Sequence, residues 1–111
     1  SDLPGGMCAY AASKHGIHGL TRVVSMENGA HNIRINTLAP GWTETPMVAA
    51  ASAQNPAFAR QAIASIPARR GGTAREVAAA AVWLCSPEAS YVYGQMLVVD
   101  GGMTIGGFAF E

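Results

Sequence analysis

Ile33-Arg34-Ile35-Asn36-Thr37-Leu38-Ala39-Pro40-Gly41 sets apolar and polar side chains in alternation and then stops on proline and glycine. The period of two carried by Ile33, Ile35 and Thr37 predicts a short β-strand, and Pro40-Gly41 predicts the turn that closes it. Upstream, from about Met7, the period changes. Ile17, Leu20 and Val24 recur at three- and four-residue intervals, which predicts a helix with one apolar stripe that ends at Asn28-Gly29. Ser1 to Gly6, with Asp, Pro and two Gly, reads as a loop.

Downstream, the alanines between Thr43 and Arg70 favour helix, while Gln54-Asn55-Pro56 and Ile66-Pro67 break it into pieces, as in a lid. Thr73 with Glu76 three residues on predicts a capping box; Val77, Ala81 and Leu84 supply the apolar face of the helix it opens, which ends before Pro87. Ser86-Pro87 can start one further turn. Met96-Leu97-Val98-Val99 is a continuous apolar run between glycines, expected of a parallel strand buried on both faces, and Asp100-Gly101-Gly102 ends it. The order helix, strand, lid, helix, strand is α/β. Two strands do not cover helices on both faces of a sheet, so the remaining apolar stripe is expected to meet something outside this chain. There is no internal repeat.

The 111 residues suit one modest domain; half are apolar, and seven basic side chains balance seven acidic ones. That balance argues against nucleic acid or an anionic membrane as partner and favours a small molecule or protein. No apolar run approaches the roughly 20 residues that cross a bilayer, and the N-terminus resembles no signal peptide, so a cytoplasmic protein is expected. Cys8 and Cys85 are then small buried side chains or bystanders, with no disulfide expected. The first residue is Ser1, consistent with a processed product, a trimmed chain or a fragment.

Tyr10 and Lys14 lie four residues apart on the first helix, a spacing that stacks them on one face. An ammonium there stabilises a phenolate and brings it toward neutral pH, where it trades protons with an alcohol. His15 and His18 lie three apart on the same helix, with no third ligand at metal-binding spacing, so no metal site is expected. Trp42, Met47, Val48, Phe58 and Ile63 are candidates to line an apolar substrate pocket, though packing explains each as well; Arg60, Arg69 and Arg70 are candidates to meet an anionic substrate, but arginines in such segments are more often solvated or paired.

Tyr10-Ala11-Ala12-Ser13-Lys14, Gly19-Leu20-Thr21, Ile33-Arg34-Ile35-Asn36 and Pro40-Gly41-Trp42-Thr43-Glu44-Thr45-Pro46-Met47 resemble, in order and spacing, the second half of the short-chain dehydrogenase/reductase family. The resemblance continues through Pro67-Ala68-Arg69-Arg70-Gly71, Glu76-Val77-Ala78, Gly94-Gln95 and Val99-Asp100-Gly101-Gly102. It implies the C-terminal part of a doubly wound parallel-sheet, Rossmann-like domain over residues 1–111, with a catalytic helix, a substrate lid at about 43–70, and a last helix and strand. It implies NAD or NADP as cofactor, Tyr10 as general acid/base, and Lys14 on the nicotinamide ribose. By the same resemblance Pro40 and Gly41 shape a turn against the nicotinamide carboxamide, Thr43 offers it backbone groups, and Thr45 offers its hydroxyl.

A complete member of that family begins with a strand, a glycine-rich turn and a helix that receives the pyrophosphate. Gly5-Gly6, Gly71-Gly72, Gly101-Gly102 and Gly106-Gly107 do not fit that place, and the family's carbonyl-polarising serine and mid-chain asparagine have no counterpart. Asn32 stands where the family commonly has glycine, which Asn tolerates because it accepts left-handed dihedrals. The implied function is hydride transfer between NAD(P) and a secondary alcohol or ketone by a polypeptide that forms a homodimer or homotetramer when full length. These 111 residues alone are expected to be inactive. The alternative is a non-catalytic oligomerisation module derived from the same family.

Overall fold

The computed structural model describes residues 7–106, and the expected loop at Ser1–Gly6 lies outside them, as does Gly107. Helix α1 spans Met7–Asn28 and passes into a 3-10 turn at Gly29–His31. The left-handed residue that ends this unit is Asn32 (φ 60°, ψ 35°), whose N–H donates to the Gly29 carbonyl; Asn28-Gly29 ends the α-helix but is not the left-handed cap.

Strand β1 spans Thr37–Pro40, shorter than the alternation from Ile33 suggests. The reason lies in Asn36. Its side chain donates to the Val92 carbonyl (3.0 Å) and accepts from the Gln95 N–H (2.9 Å), so a side chain replaces the ladder just before the strand begins. Strand β4, Met96–Val99, pairs with β1 in parallel, with Thr37 opposite Met96 and Pro40 opposite Val99.

Between them the chain forms β2 (Thr43–Glu44), α2 (Pro46–Gln54), α3 (Pro56–Ala64), β3 (Gly72–Thr73) and α4 (Ala74–Leu84). The segment expected to form a lid holds two nine-residue helices broken at Asn55, which ends α2 through its N–H to Ala51 and opens α3 by accepting from Phe58 N–H. Proline at the first position of each helix explains the break, since it starts a helix and cannot continue one. The parallel pair of β2 with β3 was not expected: two-residue strands carry no periodicity. Thr73 caps α4 as the sequence predicts, with Glu76 N–H donating to its hydroxyl and Thr73 N–H donating to the Glu76 carboxylate. A second 3-10 turn at Pro87–Ala89 follows, and Met103–Gly106 forms a short α5.

Arg34 ties these layers together by donating to the carbonyl of Leu84 (2.9 Å), the last residue of α4, and to that of Ser86 (3.2 Å), which also accepts from Ala89 N–H. Among the described residues the buried apolar side chains are Ile66, Leu84 and Ala89. Strand β4 is not buried on both faces: Met96 and Val98 are 40% and 42% exposed, because the sheet has only β1 beside it. Ile17 and Leu20 of α1 are 51% and 63% exposed, so two of the three residues of the apolar stripe read from the sequence stand uncovered, while Val24 is half-buried. No helix among the described residues is long and apolar enough to cross a membrane.

Glu76 also holds Arg70 through two guanidinium–carboxylate bonds of 2.9 and 3.0 Å, so Arg70 is paired as expected. The Arg70 side chain, helped by the Thr73 N–H, lowers the Glu76 carboxyl from 4.5 to about 2. A depressed carboxylate stabilises the fold above its ordinary value and loses that contribution as pH falls through the folded value. In urea unfolding, the stability difference between the native chain and Glu76→Gln is therefore constant above about pH 4.5 and shrinks on acidification toward pH 2. A difference unchanged at pH 2 contradicts the pairing.

Candidate functional site

Tyr10 and Lys14 both fall within α1, one helical turn apart on the same helix. The Tyr10 side chain lies outside the described residues; Lys14 is exposed. Further along α1, Thr21 donates to the Ile17 carbonyl (2.7 Å) and its hydroxyl receives a bond from Thr37 at the first residue of β1 (3.0 Å). This bond joins the middle of α1 to the start of β1, while Tyr10 and Lys14 occupy earlier turns of the helix and Pro40-Gly41 the far end of the strand.

The end of β1 is held by Gly41 N–H donating to Val99 (2.9 Å). A Cβ on Gly41 would stand 2.5 Å from the Asp100 Cβ and 2.9 Å from its Cα, so the glycine is required by the neighbouring strand end, a cause the sequence did not reveal. Gly41→Ala is expected to lower stability by about 1–3 kcal/mol through forced backbone movement, read as a lower urea midpoint. Asp100 is structural, as expected. It accepts from Gly102 N–H (2.9 Å) and from the N–H and hydroxyl of Thr104 (3.0 and 2.8 Å). Burial pushes its carboxyl up, but the Thr104 hydroxyl and the N–H groups of Gly102, Thr104 and Met103 outweigh this and hold it below the ordinary range.

Segment 42–45 leaves that turn in extended form. The Thr43 hydroxyl donates to the Gly41 carbonyl (3.1 Å), and the bond to β3 runs from Gly72 N–H to the carbonyl of Trp42, leaving the Thr43 carbonyl out of it. Thr45 caps α2 by accepting from Val48 N–H (3.2 Å), a bond that uses a lone pair of the hydroxyl and leaves its proton to donate. Pro40, Gly41, Thr43 and Thr45 thus follow one another along one turn in which the Thr43 carbonyl lies outside the bond to β3 and the Thr45 hydroxyl keeps its proton, groups that could hold a carboxamide. Contrary to the sequence expectation, Gly101-Gly102 does lie between a strand and a helix, β4 and the four-residue α5, but the Gly102 and Thr104 N–H groups at that helix start are taken by the Asp100 carboxylate and are not open to a pyrophosphate.

Trp42 and Ile63 line a cavity of about 550 Å³ under the lid, together with Glu44, Ser52, Ala59, Arg60, Ala64 and Arg69. Met47 and Phe58, 79% and 61% exposed, do not reach it, and Val48 is not on its wall. Glu44 was not singled out from the sequence; the period of two along 42–45 puts it beside Trp42 and was the available signal. No group of three His, Cys, Asp or Glu able to hold a metal occurs among the described residues, and Cys85 is a free, exposed thiol.

A family model described as enoyl-(acyl carrier protein) reductase matches residues 3–104. An A-factor type gamma-butyrolactone 1'-reductase (1S-forming) of Streptomyces virginiae is 49% identical over 96 residues, which is 86% of this chain and 37% of that protein. A solved structure from Agrobacterium tumefaciens with bound NADP, described as a 2-deoxy-D-gluconate 3-dehydrogenase, superposes with a TM-score of 0.79 at 41% identity, over 85% of this chain and 38% of the other. A 4-hydroxyisoleucine dehydrogenase complexed with NADH superposes with a TM-score of 0.82 at 32% identity, over 90% of this chain and 41% of its own. The chain therefore spans about two fifths of the length of these relatives.

Proposed function

Because the chain belongs to the short-chain dehydrogenase/reductase family, with the Rossmann-like α/β fold of its solved members, we propose that it forms the catalytic-helix and lid part of an NAD(P)-dependent oxidoreductase acting on a secondary alcohol or ketone. The observation that carries the reading is the placement of Tyr10 and Lys14 one turn apart on α1, in a chain whose next strand ends in the Pro40–Thr45 turn. An α/β unit reverses direction between helix and strand, which brings the first turns of α1 toward the end where β1 runs out.

NAD(P), when bound, supplies or accepts the hydride. Tyr10 gives its phenolic proton to the alkoxide oxygen during reduction and takes it back during oxidation. Lys14 favours the phenolate by charge and holds the ribose hydroxyls. Thr43 and Thr45 orient the carboxamide, and the lid over 43–70 shields the reaction from water.

The complete polypeptide is expected to consume NADH or NADPH with a ketone substrate, and the 111 residues alone are expected not to. Turnover by the isolated chain that Tyr10→Phe abolishes would refute the second expectation; no turnover by the complete polypeptide across a panel of ketones and secondary alcohols would refute the first. The exposed Ile17, Leu20 and Val23 of α1 favour a further element of the proposal, a homodimer or homotetramer built through this helix and through the last helix and strand. They equally suit the non-catalytic oligomerisation module. An in-frame glycine-rich strand-turn-helix encoded just upstream of Ser1 favours the enzyme, and a start codon close by favours the module.

A further inference from the structure

The lid cavity is built by residues from four segments: Trp42 and Glu44 on β2 and its approach, Ser52 on α2, Ala59, Arg60, Ile63 and Ala64 on α3, and Arg69 beyond it. Trp42 Nε1 donates to Glu44 Oε1 (3.0 Å), which shows both side chains on one side of the extended segment. Thr43 and Thr45 alternate with them and are absent from the cavity wall, so the cavity opens on the opposite face of this segment from those two hydroxyls. A volume of about 550 Å³ is in the range of small-molecule sites.

The chemistry of the wall selects among small molecules. The Trp42 indole, Ala59, Ile63 and Ala64 present carbon, while Arg60 and Arg69 bring two positive charges and Glu44 one negative, a net charge of +1. Glu44 is already engaged by the indole N–H, and Arg69 is turned by its left-handed backbone (φ 60°) to donate to the Ala64 carbonyl. Arg60 has no ion-pair partner among the described residues. It is therefore the guanidinium with its bidentate face open to a ligand.

From this arrangement we propose that the lid cavity binds an amphipathic monocarboxylate, with the carboxylate on Arg60 and the apolar body against Trp42 and Ile63. A monoanion neutralises the net charge of the wall, and the carbon surface takes a medium-length chain or a ring. Such a ligand packs on the back of the segment that carries Thr43 and Thr45. The inference does not depend on the redox reading, because binding is read without cofactor or turnover.

Binding is read by isothermal titration calorimetry on the complete polypeptide without cofactor, titrated with octanoate and, separately, with octanol. A saturable change with octanoate is expected, with the midpoint raised about 10-fold or more by Arg60→Gln, the loss of one charge-assisted hydrogen-bond pair. Arg60→Lys, which retains the charge without the fork, is expected to fall between. Octanol is expected to bind at least about 10-fold more weakly for the same reason. The absence of a saturable response to octanoate overturns the proposal. Equal midpoints for octanoate and octanol, or for native chain and Arg60→Gln, overturn it as well.

Discussion

Tyr10→Phe in the complete polypeptide lowers kcat for NAD(P)-linked turnover by about 10²- to 10⁴-fold, the range supplied by a positioned general acid/base. Phenylalanine keeps the ring and removes only the hydroxyl, so the change isolates proton transfer from packing. Far-UV circular dichroism and cofactor binding should be close to native. Lys14→Met should reduce kcat in the same direction and also weaken cofactor binding, because Lys14 is proposed to serve both the phenol and the ribose. A Tyr10→Phe enzyme that retains native kcat removes the phenol from the mechanism.

Ile66→Ala carries the largest expected stability loss, about 2–5 kcal/mol for removing a fully buried branched side chain. Ile66 is 1% exposed and is the one large side chain so enclosed among the described residues. Its Cγ2 stands 2.8 Å from the place a Cβ on Gly101 would take, while its carbonyl accepts from Arg69 N–H and the Gly101 carbonyl accepts from Ala68 N–H. Deleting the side chain therefore opens a void where the end of the lid meets the turn after β4. Urea unfolding should show a lower midpoint with an unchanged slope. A loss under 1 kcal/mol would mean that the surroundings collapse into the space, or that Ile66 is solvated in solution.

Local signals were legible where side chain and backbone settle the matter within one turn. Thr73 with Glu76 and Ser86 before Pro87 each predicted a helix start that the structure contains, and Gln54-Asn55-Pro56 predicted the break that separates α2 from α3. Long-range causes left no such mark. Asn36 shortens β1 by bonding to residues 92 and 95, Arg34 closes the end of α4 from fifty residues away, and Gly41 yields to Asp100 across two strands. None of these partners is near in the chain. The pair β2–β3 is too short for a pattern, and the exposure of Met96 and Val98 depends on which strands flank β4. In the candidate site, the order Tyr10, Lys14, Pro40, Gly41, Thr43, Thr45 was readable as a motif. The lid cavity was half readable: Trp42 and Ile63 line it, but Met47 and Phe58 face outward because α2 and α3 show their other sides to it.

The measurement that bears most directly on the Tyr10–Lys14 pair is the ionisation of Tyr10, followed by NMR of tyrosine labelled at Cζ in the complete polypeptide with oxidised cofactor. The account predicts that Tyr10 titrates well below the ordinary tyrosine value of about 10, and that Lys14→Met returns it toward that value. A Tyr10 that titrates near 10 in both proteins contradicts it.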